Sequence, residues 1–223
     1  MQRRRPVAPA LAVAALAVAA TLAMTLSGCA VVRTINNVRH AVDNNRATIK
    51  AFTTGLKSSE ATAFEATYVT SGGTPTTVTY AVQPPKDVAF SQIATGSGGG
   101  SGDLDLTSNS MGEYSCTSAS ASSGWTCQKL NKAEAIAQNE LVGLYTPSHW
   151  VTFLDTFAFA AGVAGDKVTT SSLTINGYAM NCVDFRAKGV KGLSTICTTQ
   201  QNILGYVKVA GEATSFEIKS YSS

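Results

Sequence analysis

Residues 171–185 read SSLTINGYAMNCVDF. Two alternating runs flank Asn176-Gly177, a pair suited to a two-residue hairpin turn because both of its positions need positive φ. The next turn signal is Gly189-Val190. The midpoint between Cys182 and Cys197 falls between those two residues, so the spacing sets the cysteines opposite each other on neighbouring antiparallel strands. Further strand patterns near 203–210 and 212–221 complete a β block at the C-terminus.

A second β block occupies the first half of the chain. From residue 61 the period is two, and Val78, Tyr80 and Val82 alternate with Thr77, Thr79 and Ala81. Pro84-Pro85 ends that strand, and Asp87–Ala94 begins another. TGSGGGSG at 95–102 reads as a loop tip, with strand patterns continuing at 103–108, 112–118 and 124–130. Cys116 and Cys127 are centred on Ala121-Ser122, in a serine-rich turn.

The chain has 5 cysteines. With Cys29 set aside, for the reason given below, four remain, and four allow three pairings. The turn positions favour Cys116 with Cys127 and Cys182 with Cys197, each bracketing a hairpin. The alternative, a four-cysteine metal site, lacks any C-x-x-C pair.

Three helical stretches complete the chain. In 33–57, Ile35, Val38, Val42, Asn45, Ile49, Phe52 and Leu56 recur at alternating spacings of three and four, an amphipathic helix whose one polar position is Asn45. Helical character returns at 132–145. A further helix begins at Pro147, with Thr146 placed to cap it and Gly162 or Gly165 placed to end it. The order is one helix, about six strands, two helices and about five strands. Antiparallel runs with the helices grouped together indicate an α+β fold, not alternating βαβ units.

The N-terminus carries a different message. Arg3, Arg4 and Arg5 precede an uncharged run over 7–26, in the order of an export signal. The run is long enough to cross a bilayer as a plain anchor. Against that, Leu26-Ser27-Gly28-Cys29 looks like a bacterial lipobox, in which the thiol is diacylated and the leader is cut just before it. Pro6-Val7-Ala8 fits a twin-arginine signal poorly, so a general secretion signal is expected. The reading is a leader at 1–28, an anchor and short tether at 29–32, and one domain at 33–223. A doubly acylated Cys29 would hold the domain stably to a membrane from outside the cytoplasm.

Composition narrows the function. Removing the three leader arginines from 17 Lys and Arg leaves 14, against 14 Asp and Glu, so no basic excess remains for nucleic acid. Charged residues make up 14%, well below the usual ~25%. The two histidines, His40 and His149, have no metal-type partner four residues away, and no nucleophile elbow, phosphate loop or H-E-x-x-H motif occurs. No cofactor is called for, and no catalysis is indicated. The stretch 147–162 is unusual because Trp150, Phe153, Leu154 and Phe157 make it apolar around most of its circumference. Such a helix is either ordinary core or the wall of a hydrophobic pocket.

The pattern as a whole resembles the LolA/LppX-type lipoprotein carriers. The resemblance rests on Leu26-Ser27-Gly28-Cys29, the helix at 33–57 leading into a strand near 64–70, and the helices set between two β blocks. The runs Cys182-Val183-Asp184-Phe185, Cys197-Thr198-Thr199 and Tyr206-Val207-Lys208-Val209 are similar to actinobacterial lipoproteins of this type. The resemblance implies a strongly curved antiparallel sheet, an incomplete barrel of about 10–11 strands, with helices over its concave face and acyl chains held between. Trp150, Phe153, Leu154 and Phe157, with Tyr80 and Phe90 on facing strands, are the expected cavity wall. The expected function is a monomeric, non-enzymatic, membrane-anchored lipid binder or carrier. The alternative is a structural or interaction lipoprotein of the envelope with a filled core. An enzyme would need converging acids or histidines, and a two-lobed solute receptor does not fit the element order.

Overall fold

The computed structural model describes residues 28–72, 75–94, 102–119, 124–186 and 189–223, with side chains of the first helix from Ile35 onward. Residues 1–27 of the expected leader, the Cys29 side chain, the 95–101 run and the Ala121-Ser122 turn lie outside the described residues. Residues 1–37 and 38–223 form two compact units. Of the first, the described part is helical from Gly28.

Helix α1 spans Gly28–Ser59. It starts ahead of the stripe that reveals it, because Ala30, Val31 and Val32 continue a helix as readily as they would a tether. Within the larger unit, α1 buries Val42, Asn45, Ile49, Thr53 and Leu56. Six strands follow: β1 Phe64–Ser71, β2 Thr76–Gln83, β3 Asp87–Ala94, β4 Asp103–Asn109, β5 Gly112–Ser118 and β6 Thr126–Lys129. Then come α2 Lys132–Gly143 and α3 Pro147–Ala164, and finally β7 Thr169–Ile175, β8 Tyr178–Phe185, β9 Ser194–Thr199, β10 Leu204–Lys208 and β11 Ser215–Ser222.

All eleven strands form one antiparallel sheet in the order β6-β5-β4-β3-β2-β1-β11-β10-β9-β8-β7. The sheet is curved and open, as the family resemblance implies. The chain walks from β1 out to one edge, crosses the sheet as α2 and α3, and walks back from the other edge until β11 meets β1. The helices therefore lie across the sheet, because β6 and β7 are its opposite edges. Register shifts opposite β1 at Thr67/Tyr68 and within β10 between Leu204 and Tyr206 strengthen the bend of the second half. The coiling brings the turn at Asn176 onto β11, where its side-chain amide donates to the Ile218 carbonyl at 2.8 Å.

Both predicted disulfides are present, and both join residues directly opposite in register: Cys116–Cys127 across β5 and β6, Cys182–Cys197 across β8 and β9. They place the folded domain in an oxidising, extracytoplasmic compartment. Among the described residues, no helix is long and apolar enough to cross a membrane.

The helix ends show what local sequence cannot. Asn131 caps α2 through a capping box with Glu134. Gly165, at φ 78°, ends α3. Thr146 does occupy the cap position of α3, but its side chain makes no capping bond and instead donates to the Val142 carbonyl at 3.1 Å. The acceptor for that helix end is Glu60, whose Oε1 takes the Ser148 N–H at 2.6 Å from just beyond α1. Gly162 has a different use. A Cβ there would stand 2.5–2.7 Å from the Val42 Cγ2, Cα and N, so α1 and α3 cross where only glycine fits. Nearby, the buried Asn45 closes the junction, with Nδ2 donating to the Asp166 carbonyl at 3.1 Å and Oδ1 accepting from Val168 N–H at 3.0 Å.

Candidate functional site

The first half of the sheet carries two cross-strand rows on its helix-covered face. One runs Ala66, Tyr80, Phe90, Leu106, Ser115, Gln128, and the other Phe64, Val82, Val88, Ser108, Glu113. Both change from apolar to polar on approaching β5 and β6. A helix over the outer end of these rows has little to bury against. α2 lies there, and it has no buried residue, although Leu141 and Val142 touch the core. Ile136, on the same helix, is 56% exposed.

The result is a cleft of about 320 Å³ between α2 and the sheet. Tyr80, Val88, Phe90 and Leu106 line it from the strands, and Leu130 and Val142 from the helical side. Polar groups ring it: Glu113 and Tyr114 of β5, Gln138 and Asn139 of α2, and Thr146. Burial raises the Tyr80 phenol above its ordinary range, with the Thr146 hydroxyl partly opposing. The phenol is therefore neutral at physiological pH, and Glu113 is the one carboxylate lining the cleft. An apolar floor with a polar rim suits a ligand that is greasy along its length and polar at one end.

The six residues expected to share one wall separate into two groups. Tyr80 and Phe90 line the cleft. Trp150, Phe153, Leu154 and Phe157 sit on α3, over the second half of the sheet. There Phe157 and Phe153 meet Phe185 at ring-centroid distances of 4.1 and 5.8 Å, and Trp150 approaches Phe216 at 6.5 Å. Leu154 is 1% exposed. The Trp150 indole donates to the Leu144 carbonyl at 2.7 Å, tying α3 to the end of α2. Tyr145 fills the space between the halves, touching Tyr68, Phe90 and Phe216. Burial pushes its phenol up to about 12.

Sequence reasoning missed Val88, Leu106, Val142 and the rim. Val88 and Leu106 have an alternation signal, but the contribution of α2 appears only once the strands are in register. His40 and His149 are both exposed, and His149 stands edge-on to Trp150 at 5.3 Å. Among the described residues, no group of three His, Cys, Asp or Glu side chains could hold a metal ion.

No protein-family model matches the chain, and no curated protein matches it. Among solved structures, MucB is similar at TM-score 0.46 and 10% identity over 79% of this chain and 58% of that one. The MucA/MucB complex from Pseudomonas aeruginosa gives TM-score 0.46 and 7% identity over 77% of this chain and 56% of that one. An uncharacterized conserved protein from Thermus thermophilus gives TM-score 0.42 and 6% identity over 78% and 85%. This chain spans little more than half the length of the MucB chains. Similarity at this level assigns neither a family nor a ligand.

Proposed function

We propose that the chain is an extracytoplasmic lipoprotein, held to the membrane through Cys29, that binds one hydrophobic acyl chain under α2 and catalyses no reaction. The observation that carries the reading is the seating of α2, a helix with no buried residue above an apolar floor of Tyr80, Phe90 and Leu106. The cleft of about 320 Å³ falls at the lower end of the ~300–1,000 Å³ of ligand pockets, which favours a single slender ligand over a bulky one. Trp150, Phe153, Leu154 and Phe157 enter this reading as the packed ridge beside the cleft, and a longer ligand would have to displace them. That filled aromatic half also favours a second reading, an envelope protein that works through its outer surface.

The test is to export a soluble form starting at Ala30, purify it without detergent, and record native mass spectra before and after organic extraction. A stoichiometric acyl-chain adduct supports the lipid reading. The adduct should disappear in Val142→Trp, which fills the cleft from α2. A bare mass that persists after incubation with the host's own lipids removes the lipid reading and leaves the surface-acting one.

A further inference from the structure

Among the described residues, strand β7 is a free edge of the sheet, and every residue in it but Ile175 is exposed. Natural free edges are kept from pairing with other chains by lysine, proline, bulges or shortness. β7 is 7 residues long, carries no charge and no proline, and pairs with β8 without a register shift.

Its backbone polarity follows from the turn. Asn176 and Gly177 have φ of 51° and 83°, and the turn closes with Ile175 opposite Tyr178 as a hydrogen-bonded pair. Bonded and non-bonded pairs alternate along an antiparallel ladder. Leu173, Ser171 and Thr169 therefore bond to β8, and the N–H and C=O groups of Thr170, Ser172 and Thr174 point out of the sheet. The disulfide agrees with this count. Cys182 and Cys197 have Cα atoms 4.0 Å apart, the short spacing of a non-bonded pair, so the backbone groups of Cys182 face Ser171 on β7.

A second feature adjoins the same edge. A cleft of about 360 Å³ is lined by Ala51 and Phe52 of α1, by Thr170 and Ser172 of β7, and by Asn181 and Asn202. An open strand edge beside a helix-walled cleft is the arrangement that takes an added strand: the ladder holds the backbone and the cleft receives alternate side chains. We propose that β7 binds an extended segment of a second polypeptide as a twelfth strand, with alternate small polar side chains entering the cleft, where Thr170, Ser172, Asn181 and Asn202 offer them hydrogen-bonding groups and Ala51 and Phe52 close the helix side. Charge sets the partner's composition. The edge itself is neutral, and Lys50 beside Ala51 and Lys167 just ahead of β7 are exposed, with Asp166 half-buried between Lys167 and α3. The fitting segment is uncharged along the strand and acidic at the flank that meets Lys167. This proposal does not rest on the cleft under α2.

The experiment is a selection from a displayed library of extended peptides about as long as β7, against the full chain expressed with its leader and purified from the envelope. Enriched peptides are then synthesised and titrated. Ser172→Pro removes only an outward-facing N–H, so the β7–β8 ladder stays intact. Ser172→Lys guards the edge by charge in case proline disturbs the strand. The expected result is enrichment of uncharged sequences with small polar residues at alternate positions and acids at one flank, at least tenfold weaker binding to both variants and to Ala51→Glu, and unchanged binding to Thr126→Lys, which is exposed on the opposite edge strand β6. Three results overturn the proposal: no peptide is enriched, enriched peptides bind Ser172→Lys as well as the parent, or the chain itself dimerises in a way that Ser172→Lys abolishes.

Discussion

Replacing Asn45 by alanine is the sharpest test of how the helical layer is held. Asn45 is 4% exposed, and its amide completes two well-formed bonds, to the Asp166 carbonyl and from the Val168 N–H. A third approach, to the Ala158 carbonyl at 3.5 Å, is too long to count for much. Truncation removes two bonds with a net worth of about 1 kcal/mol each and strands the Val168 N–H, at about 1–3 kcal/mol for a buried orphan. The Asp166 carbonyl is half-exposed and recovers water, so the expected loss is about 2–4 kcal/mol. At about 2–4 °C per kcal/mol for a domain of this size, the melting temperature should fall by roughly 4–16 °C. Calorimetry with both disulfides intact measures it, and hydrogen exchange at Val168 localises it. Asn45→Asp adds a control with a sign. Its carboxylate would still accept from Val168 but would repel the Asp166 carbonyl, whereas the protonated form can donate to it. Folding then favours the protonated acid and raises its pKa, so the variant should regain stability as pH falls towards about 4. A melting temperature within about 1 °C of the parent for Asn45→Ala, with Val168 still protected, would refute the junction as described.

Other outcomes follow from single contacts. Glu60→Ala should cost about 0.5–2 kcal/mol, as loss of a helix cap does, and should speed exchange at Ser148 and His149 while sparing α2. Gly162→Ala should destabilise by about 1–3 kcal/mol, because the added methyl meets the Val42 backbone N and Cα as well as its Cγ2, and backbone cannot swing aside. Mild reductant should open Cys116–Cys127 first, since Cys127 is exposed whereas Cys182 and Cys197 are buried; mass spectrometry after alkylation reads the order. At high pH the domain should lose stability as pH rises from about 10 to about 12. The unfolded chain releases the Tyr145 proton at the ordinary tyrosine value of about 10, and the folded one holds it to about 12. Tyrosinate absorbance should rise together with loss of the circular dichroism signal, and Tyr145→Phe should weaken the coupling.

The strands were legible because their information is local. Asn176-Gly177 and the two cysteine midpoints fixed pairings that the register confirms residue by residue. The Asn45 position inside an apolar stripe also marked a real feature, though not its partners, which lie more than a hundred residues away. The candidate site was less legible. Four aromatic and aliphatic residues on α3 stood out by density, but Phe185 and Phe216 come from strands far along the chain, and those rings occupy the space beside them. The weak seating of α2 follows from a gradient running across strands, Leu106 to Ser115 to Gln128, which linear sequence scatters over three separate segments. Thr146 holds the cap position of α3 that its sequence suggests, but the side-chain acceptor for that helix end, Glu60, is remote in sequence and was not legible.

The pairing of β1 with β11 carries a consequence for how the protein is made. Each half-sheet can assemble from hairpins between consecutive strands, but the seam joins residues such as Phe216 and Thr70 from opposite ends of the chain. A polypeptide that crosses a membrane unfolded, N-terminus first, delivers Ser215–Ser222 after the other ten strands of the sheet. Until those residues arrive, the two half-sheets stand as separate pieces with four open edges between them. Long-range closure of this kind is slow and exposes edges to aggregation. Strand β11 thus acts as a clasp, and a chain without it would fail as a whole instead of losing one strand.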